Sequence, residues 1–524
     1  MTWAELQRGI DLFNSCEFFA AHEALEDAWR AATGPEKLFL QGLVQAAVAM
    51  HHHATGNYVG ARSVLQRARR NLSGYPESYL GIKVVSLRQS LSEWQEALAE
   101  GGSLLPLPRM EFTEKDSSER CTASHGEVPG NRSANISSFM KQSSRSAVTH
   151  SVPLLDLQRQ YAPLREEILA AIERVCGSQK FILGEEVEAL ESEMAAYTGA
   201  AASVGCASGT DALWLALVAV GVGPGDAVIT SPFSFFASGS AIVRAGARPV
   251  FADVDAQSLN LDPQSVRSRL EAGGSHKIKA LLPVHLYGQC ADVDAFAALA
   301  EEFKLAVVED AAQAIGARWR ERGAGSLGVT AAFSFYPTKN LSAFGDAGIV
   351  TTREQEMARR MRRLRNHGSP QRYVHEEMGW NCRLDAIQAA VLRVKLPHVE
   401  EWNRARRARA AEYDRLLAKA GFDGDSPVKI PFRHAQAQHV FHQYVIRAER
   451  RDELRAFLKE RGIGTEVYYP LPIHLQPSFT YLGYQPGDMP KAEKASRDVL
   501  ALPIFPELTE DEQQWVVNGI AEFY

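Results

Sequence analysis

The segment SFYPTKNLSAFGDAG (334–348) sets Lys339 just after a β-branched and aromatic stretch, in a turn built from small residues. A protonated lysine is a poor nucleophile, so such a residue does chemistry only in a desolvated pocket beside a carbonyl compound, where it forms a Schiff base. The plain alternative is a solvated surface lysine, since loops normally carry them. Two upstream segments weigh against that. VVEDAAQAIGA (307–317) ends an apolar strand in Asp310, with Gln313 three residues on. CASGTDALWLAL (206–217) runs from a strand through Ser208, Gly209 and Thr210 into an apolar helix. A carboxylate at the end of a buried strand can keep a pyridine nitrogen protonated. Small and hydroxyl residues at a helix start offer N–H and O–H groups to a phosphate, and Gly209 permits close approach. Ser334, five residues before Lys339, adds a hydroxyl, and SPFSFFAS (231–238) supplies aromatics such as Phe235 to cover a flat ring. Singly these residues are ordinary: an Asp at a strand end is usually a turn residue, and SGT is usually a helix cap. In this order they supply the parts of a pyridoxal 5'-phosphate site.

The elements that must hold these parts alternate along the chain. Apolar strands are expected over 202–207, 227–232, 248–254, 278–284, 305–310, 331–336 and 348–352, separated by helical stretches or turns. Near-continuous apolar runs of this kind imply a mostly parallel, doubly wound α/β sheet buried on both faces, here with seven strands. Ligands in such sheets collect at the carboxyl ends of strands, which Ser208, Phe235, Asp310 and Lys339 all follow. This large domain is expected over 151–400, and a smaller α/β domain over 401–524 has FHQYVIRA (441–448) as its clearest strand. A hydrophobic fraction of 45% provides ample core, and a net charge of −6 argues against nucleic acid as main partner. No apolar run approaches the roughly 20 residues of a membrane span. The N-terminus lacks a signal-peptide pattern, so a cytoplasmic protein is expected. Six cysteines without CxxC spacing give no disulfide framework or zinc knuckle.

From VPLLDLQRQYAPL (152–164) to the C-terminus the chain resembles the DegT/DnrJ/StrS group of fold-type-I sugar aminotransferases. FILGEEVEALE, ASGTDAL, GARPVFADVD, PVHLYGQ, VEDAAQAIGA, FSFYPTKNL, RNHG, GWNCRLDAIQAA, YYPLPIHLQ and ALPIFPEL fall in family order. The resemblance implies that Lys339 carries the cofactor, that Asp310 faces the pyridine nitrogen and that Gln313 contacts the phenolic oxygen. It implies further that Phe235 stacks on the ring and that Gly209, Thr210 and Ser334 bind the phosphate, beside the Ser208 hydroxyl that the same helix start offers. Asn381 would reach the same phosphate from a second subunit, making a homodimer with shared sites. One departure is Ala347, which replaces a common glycine in GDAG. The implied reaction moves an amino group, with glutamate the expected donor, onto a keto nucleotide sugar for cell-surface polysaccharide or secondary-metabolite synthesis. PVHLYGQ, RNHGSPQRYVH and GWNCRLDAIQAA look more like members acting at carbon 3 than at carbon 4. Two rivals are a sugar dehydratase, whose relatives carry histidine in place of Lys339, and a regulatory or scaffolding relative without turnover.

Residues 1–105 read as a separate all-helical domain. FNSCEFFAAHEALEDAWR (13–30) puts Phe18, His22, Leu25 and Trp29 on one helical face, and LFLQGLVQAAVAMHHHATGN (38–57) lines up Gln41, Gln45 and His52. The two stretches resemble domain of unknown function 309, which implies no activity. Glu17, His22, Glu23, Glu26 and His52 would be the ligands of a metal site, but helical HExxE spacing is common, and no bound metal is expected. Residues 106–150 lose periodicity and carry nine serines between Ser117 and Ser146, which reads as a disordered linker.

Overall fold

The computed structural model describes residues 3–54, 58–100, 107–112, 151–273 and 277–524, in two compact units that divide after Gln142. The first is helical, with α1 (Trp3–Asn14), α2 (Phe18–Arg30), α3 (Gly34–Ala54) and α4 (Tyr58–Leu72). A short hairpin of β1 (Ser78–Tyr79) and β2 (Ile82–Lys83) then leads into α5 (Val84–Glu100). On α2, Phe18, Ala21, Leu25 and Ala28 recur at three- and four-residue spacing and are buried. His22 and Trp29, expected on that face, sit partly exposed at its edge. His22 Nε2 lies 3.5 Å from Glu26 Oε2, and among the described residues no group of three or more His, Cys, Asp or Glu is arranged to hold a metal.

Residues 107–112, expected to belong to the linker, are instead docked on this unit. Met110 is buried in the helical core, and its backbone N–H and C=O exchange hydrogen bonds of 2.9 and 2.8 Å with the Asn14 side chain. Phe112 bridges to Ile82. An apolar side chain with somewhere to go outweighs the polar composition around it. The rest of the expected linker, 106 and 113–150, lies outside the described residues.

The second unit is built on a seven-stranded sheet. Its strands are β3 (Ala202–Cys206), β4 (Asp226–Thr230), β5 (Arg248–Phe251), β6 (Lys277–Leu282), β7 (Ala306–Asp310), β8 (Thr330–Ser334) and β9 (Gly348–Thr352), in the order β3-β9-β8-β7-β6-β4-β5. Only β9 runs against its neighbours, pairing antiparallel with β8 and β3. The other six strands therefore end on the same edge of the sheet. Helix α6 (Gly209–Ala219), which follows β3, is buried on nearly every side from Ala212 to Leu217, which is why its sequence shows no polar stripe. Further on, α7 (Ala386–Lys395) and α8 (Val399–Lys419) precede a three-stranded antiparallel sheet of Val428–Lys429, Tyr444–Ala448 and Val499–Leu502. The strand expected over 441–448 begins only at Tyr444, because Phe441 has a φ of 45° and cannot join a ladder. Among the described residues no helix is long and apolar enough to cross a membrane.

Candidate active site

Asp310 closes β7 with its side chain buried. Its carboxylate accepts from the Ser238 hydroxyl (2.6 Å, Oδ2) and from the Ala312 N–H (3.3 Å, Oδ1). Burial pushes this carboxyl above the usual carboxylate range, against those two donors and the positive charge of Lys339. Lys339 sits in the turn after β8, its N–H bonded to Tyr336 O at 2.8 Å. Burial pushes its ammonium down to about 8, opposed by the Asp310 carboxylate. The two charges act on each other: the Asp310 carboxylate opposes the fall at Lys339, and the Lys339 charge opposes the rise at Asp310.

The β3-α6 turn supplies the anion cradle. The Ser208 hydroxyl caps α6, accepting from Asp211 N (3.1 Å) and donating to Asp211 Oδ2 (2.8 Å). Ser208 is thus a cap whose proton is already committed, and the phosphate expectation falls on its neighbours. Among the described residues no acceptor takes the N–H of Gly209 or Thr210, so both are free for an anion at the positive end of the helix. Ser334 faces them: a Cβ on Gly209 would lie 2.6 Å from Ser334 Cβ, closer than real contacts allow. Only glycine lets the turn approach β8 this closely. The following glycine of consequence is Gly348, whose added Cβ would meet Ser208 O at 2.3 Å. Ala347 is buried in the core beside them, and its φ is not positive, so the departure from glycine there is tolerated.

Gln313 is buried, with Oε1 accepting Tyr287 N (2.6 Å) and Nε2 donating to Tyr469 Oη (2.9 Å). One amide hydrogen of Gln313 and the phenolic hydrogen of Tyr469 are left to point elsewhere. Burial and the Asp310 carboxylate push the Tyr469 phenol up, keeping it a neutral donor. Phe235 is 59% exposed, with its ring 6.3 Å from that of Tyr469. Asn381 is also exposed, in a stretch with the exposed Met378 and Trp380, and it bridges to Asn366. The structure thus gathers Asp310, Gln313, Lys339, Ser334 and the Ser208–Thr210 turn around one strand edge within a single chain.

Several supporting residues escaped sequence reasoning. Glu309 points to the opposite side of β7 from Asp310 and accepts from Leu327 N, Gly328 N, Gly325 N and His285 Nε2 at 2.7–3.0 Å. The His285 ring takes the Ala291 N–H on Nδ1 (3.1 Å), which assigns its hydrogen to Nε2. Asn340, next to Lys339, donates from Nδ2 to Asn403 Oδ1 (2.8 Å) and Val440 O (3.3 Å). Its Oδ1 accepts from His442 Nδ1 (3.2 Å), and Asn403 in turn donates to Ile315 O (3.0 Å). Burial, with Lys339 and Arg406 nearby, holds His442 far below its ordinary value and therefore neutral. No short-range signal marks these residues, because every partnership but His285–Ala291 spans sixteen residues or more.

A buried carboxylate, a lysine of lowered basicity, two open N–H donors and a partly exposed aromatic ring fit the ring nitrogen, carbonyl, phosphate and face of pyridoxal phosphate. Residues 163–521 match the DegT/DnrJ/EryC1/StrS aminotransferase family, and residues 6–64 match domain of unknown function 309. A protein of Geobacillus stearothermophilus named pleiotropic regulatory protein is 52% identical over 377 residues, covering 71% of this chain and 99% of its own. The dTDP-3-amino-3,4,6-trideoxy-alpha-D-glucose transaminase of Streptomyces venezuelae is 46% identical over 380 residues, covering 72% and 98%. The crystal structure of S. venezuelae DesV in complex with a ketimine intermediate matches with a TM-score of 0.68 at 46% identity, covering 71% of this chain and 98% of that one.

Proposed function

Because the chain belongs to the DegT/DnrJ/EryC1/StrS aminotransferase family and is a pyridoxal-phosphate-dependent transaminase, we propose that it transfers an amino group from glutamate to the 3-keto carbon of a nucleotide sugar. One observation carries the site reading: a lysine brought down to about 8 by burial shares its surroundings with a buried carboxylate. When bound, the cofactor supplies the electron sink. In this reading the N–H groups of Gly209 and Thr210, with the Thr210 and Ser334 hydroxyls, hold its phosphate. Ser208 acts by fixing the turn. Asp310 keeps the ring nitrogen protonated, Gln313 directs its remaining N–H to the phenolic oxygen, and Phe235 covers the ring.

Lys339 is the proton carrier. With its value near 8 it is populated in both forms around neutral pH, so it can take a proton from the donor's α-carbon and return it at the carbonyl-derived carbon. The same groups, used in reverse, serve the sugar ketone. Asn381 reaches the phosphate from a second subunit, making a homodimer the working form, in the cytoplasm. The 3-position is supported by the name of the Streptomyces relative and by the motifs around 283–289 and 365–390. Lys339 itself speaks against the dehydratase alternative.

Glutamate added to the loaded protein is expected to convert the absorbance of the lysine-bound cofactor to that of the amine form. A panel of 3-keto and 4-keto nucleotide sugars, with products resolved by NMR, then fixes the carbon. A regulatory role without turnover is the second reading, favoured by the name of the Geobacillus relative. Absence of any spectral change with every amino donor tried would select it.

A further inference from the structure

We propose that the helical unit carries a second anion site, a groove between α4 and α5 that binds a diphosphate group, free or attached to a nucleoside. On α4, Gln66, Arg69 and Arg70, continued by Ser73 just past its last residue, follow i, i+3, i+4, i+7 spacing; on α5, Val85, Arg88, Gln89 and Ser92 do the same, with Gln95 three residues further on. The opposite faces of both helices are spent on the core, through Ala61, Leu65, Ala68 and Leu72 and through Val84, Leu87, Leu91 and Trp94. The two polar stripes line one cavity of about 680 Å³, within the range for small-molecule sites.

Its charge is one-sided. Among the described residues three guanidiniums line the cavity and no carboxylate does. Over residues 1–112 the chain has ten Lys and Arg against twelve Asp and Glu, so this positive groove lies in a unit that is acidic overall. Among the described residues Arg69, Arg70 and Arg88 join no ion pair, whereas Arg30 and Lys83 of the same unit do. Neighbours hold two of the forks in position without neutralising them: Arg69 Nη1 donates to Gln95 Oε1 (2.6 Å) and Arg88 Nη1 to Tyr75 O (3.5 Å). The remaining guanidinium N–H groups, with the Ser73 and Ser92 hydroxyls, form a donor-rich surface of the kind that grips phosphoryl oxygens two at a time. Val85, 47% exposed, adds an apolar edge for a nucleoside.

The test uses the full-length, cofactor-loaded protein, with inorganic pyrophosphate, UDP, citrate and a deca-glutamate peptide as probes. Hydrogen exchange over α4 and α5, together with calorimetric affinity, reads the outcome separately from any phosphate bound at the catalytic site. Pyrophosphate and UDP are expected to slow exchange in both helices. The R69Q/R88Q variant should weaken binding about tenfold or more while leaving the glutamate half-reaction unchanged, and R69K, keeping charge but losing the fork, should fall between. Tighter binding of UDP than of pyrophosphate identifies a nucleoside diphosphate, and equal binding identifies the diphosphate alone. No protection by either, protection that survives R69Q/R88Q, or protection by citrate or the peptide equal to that by pyrophosphate would overturn the proposal.

Discussion

Replacing Glu309 by glutamine keeps the volume of a buried side chain but breaks the hydrogen-bond arithmetic around it. The carboxylate accepts four bonds: Leu327 N at 2.8 Å and Gly328 N at 2.7 Å on Oε1, Gly325 N at 2.9 Å and His285 Nε2 at 3.0 Å on Oε2. A glutamine offers one oxygen and one NH2, so two buried donors come to face a third. His285 cannot resolve this by moving its proton, because Nδ1 already accepts from Ala291 N. Two unsatisfied buried donors cost about 1–3 kcal/mol each, so the exchange should destabilise this unit by about 2–6 kcal/mol. Urea unfolding of the full chain measures it, with the transition of larger m-value assigned to the larger unit. The pH dependence adds a second check. Burial alone would raise the Glu309 carboxyl, but His285 and the loop N–H groups prevail and hold it below 4.5. Its stabilisation is therefore complete above the unfolded value and is lost as pH falls from there through the folded value. Glutamine does not titrate, so the gap between variant and parent should stay level above about pH 4.5 and narrow below it. A loss under about 0.5 kcal/mol, or a gap that ignores pH, would refute the reasoning.

Three further outcomes follow from the same geometry. Only the neutral amine attacks a carbonyl, so reconstitution of cofactor-free protein with pyridoxal phosphate should accelerate with pH around a midpoint of about 8. A midpoint near 10.5, the ordinary lysine value, would contradict the burial of Lys339. Lys395 donates to Ser342 O and Oγ at 2.9 and 3.0 Å, among the described residues it has no carboxylate partner, and burial pushes it down to about 8. Its folded value lies below its unfolded one, so the unfolded chain binds more protons between about pH 8 and 10.5 and stability rises with pH across that window. Lys395→Met should flatten part of that rise in urea midpoints, and an unchanged slope would refute it. Gly209→Ala should weaken cofactor binding about tenfold or more, read by absorbance titration, because its methyl must displace Ser334.

Why some of this was legible in the sequence and some was not comes down to the range of the interactions. The strands could be read because burial on both faces makes each a continuous apolar run, and Asp310, Lys339 and the Ser208–Thr210 turn could be read because each directly follows such a run. Residue type alone, however, does not say which polar atoms are still free. Ser208 looked like a phosphate ligand, but its hydroxyl is consumed by Asp211 three residues away, leaving the donors of Gly209 and Thr210. The supports of Lys339 lie beyond any window: Asn340 is held by Asn403 and His442, 63 and 102 residues further on. That distance has a functional corollary. The turn bearing Lys339 is fixed by α8 and by the segment leading into the C-terminal sheet, so the position of the proton-carrying lysine depends on whether that part of the chain is docked. Substituting Asn403 therefore acts on the same turn as substituting Asn340, although among the described residues the Asn403 side chain hydrogen-bonds to Asn340 and Ile315 and not to the cofactor cradle.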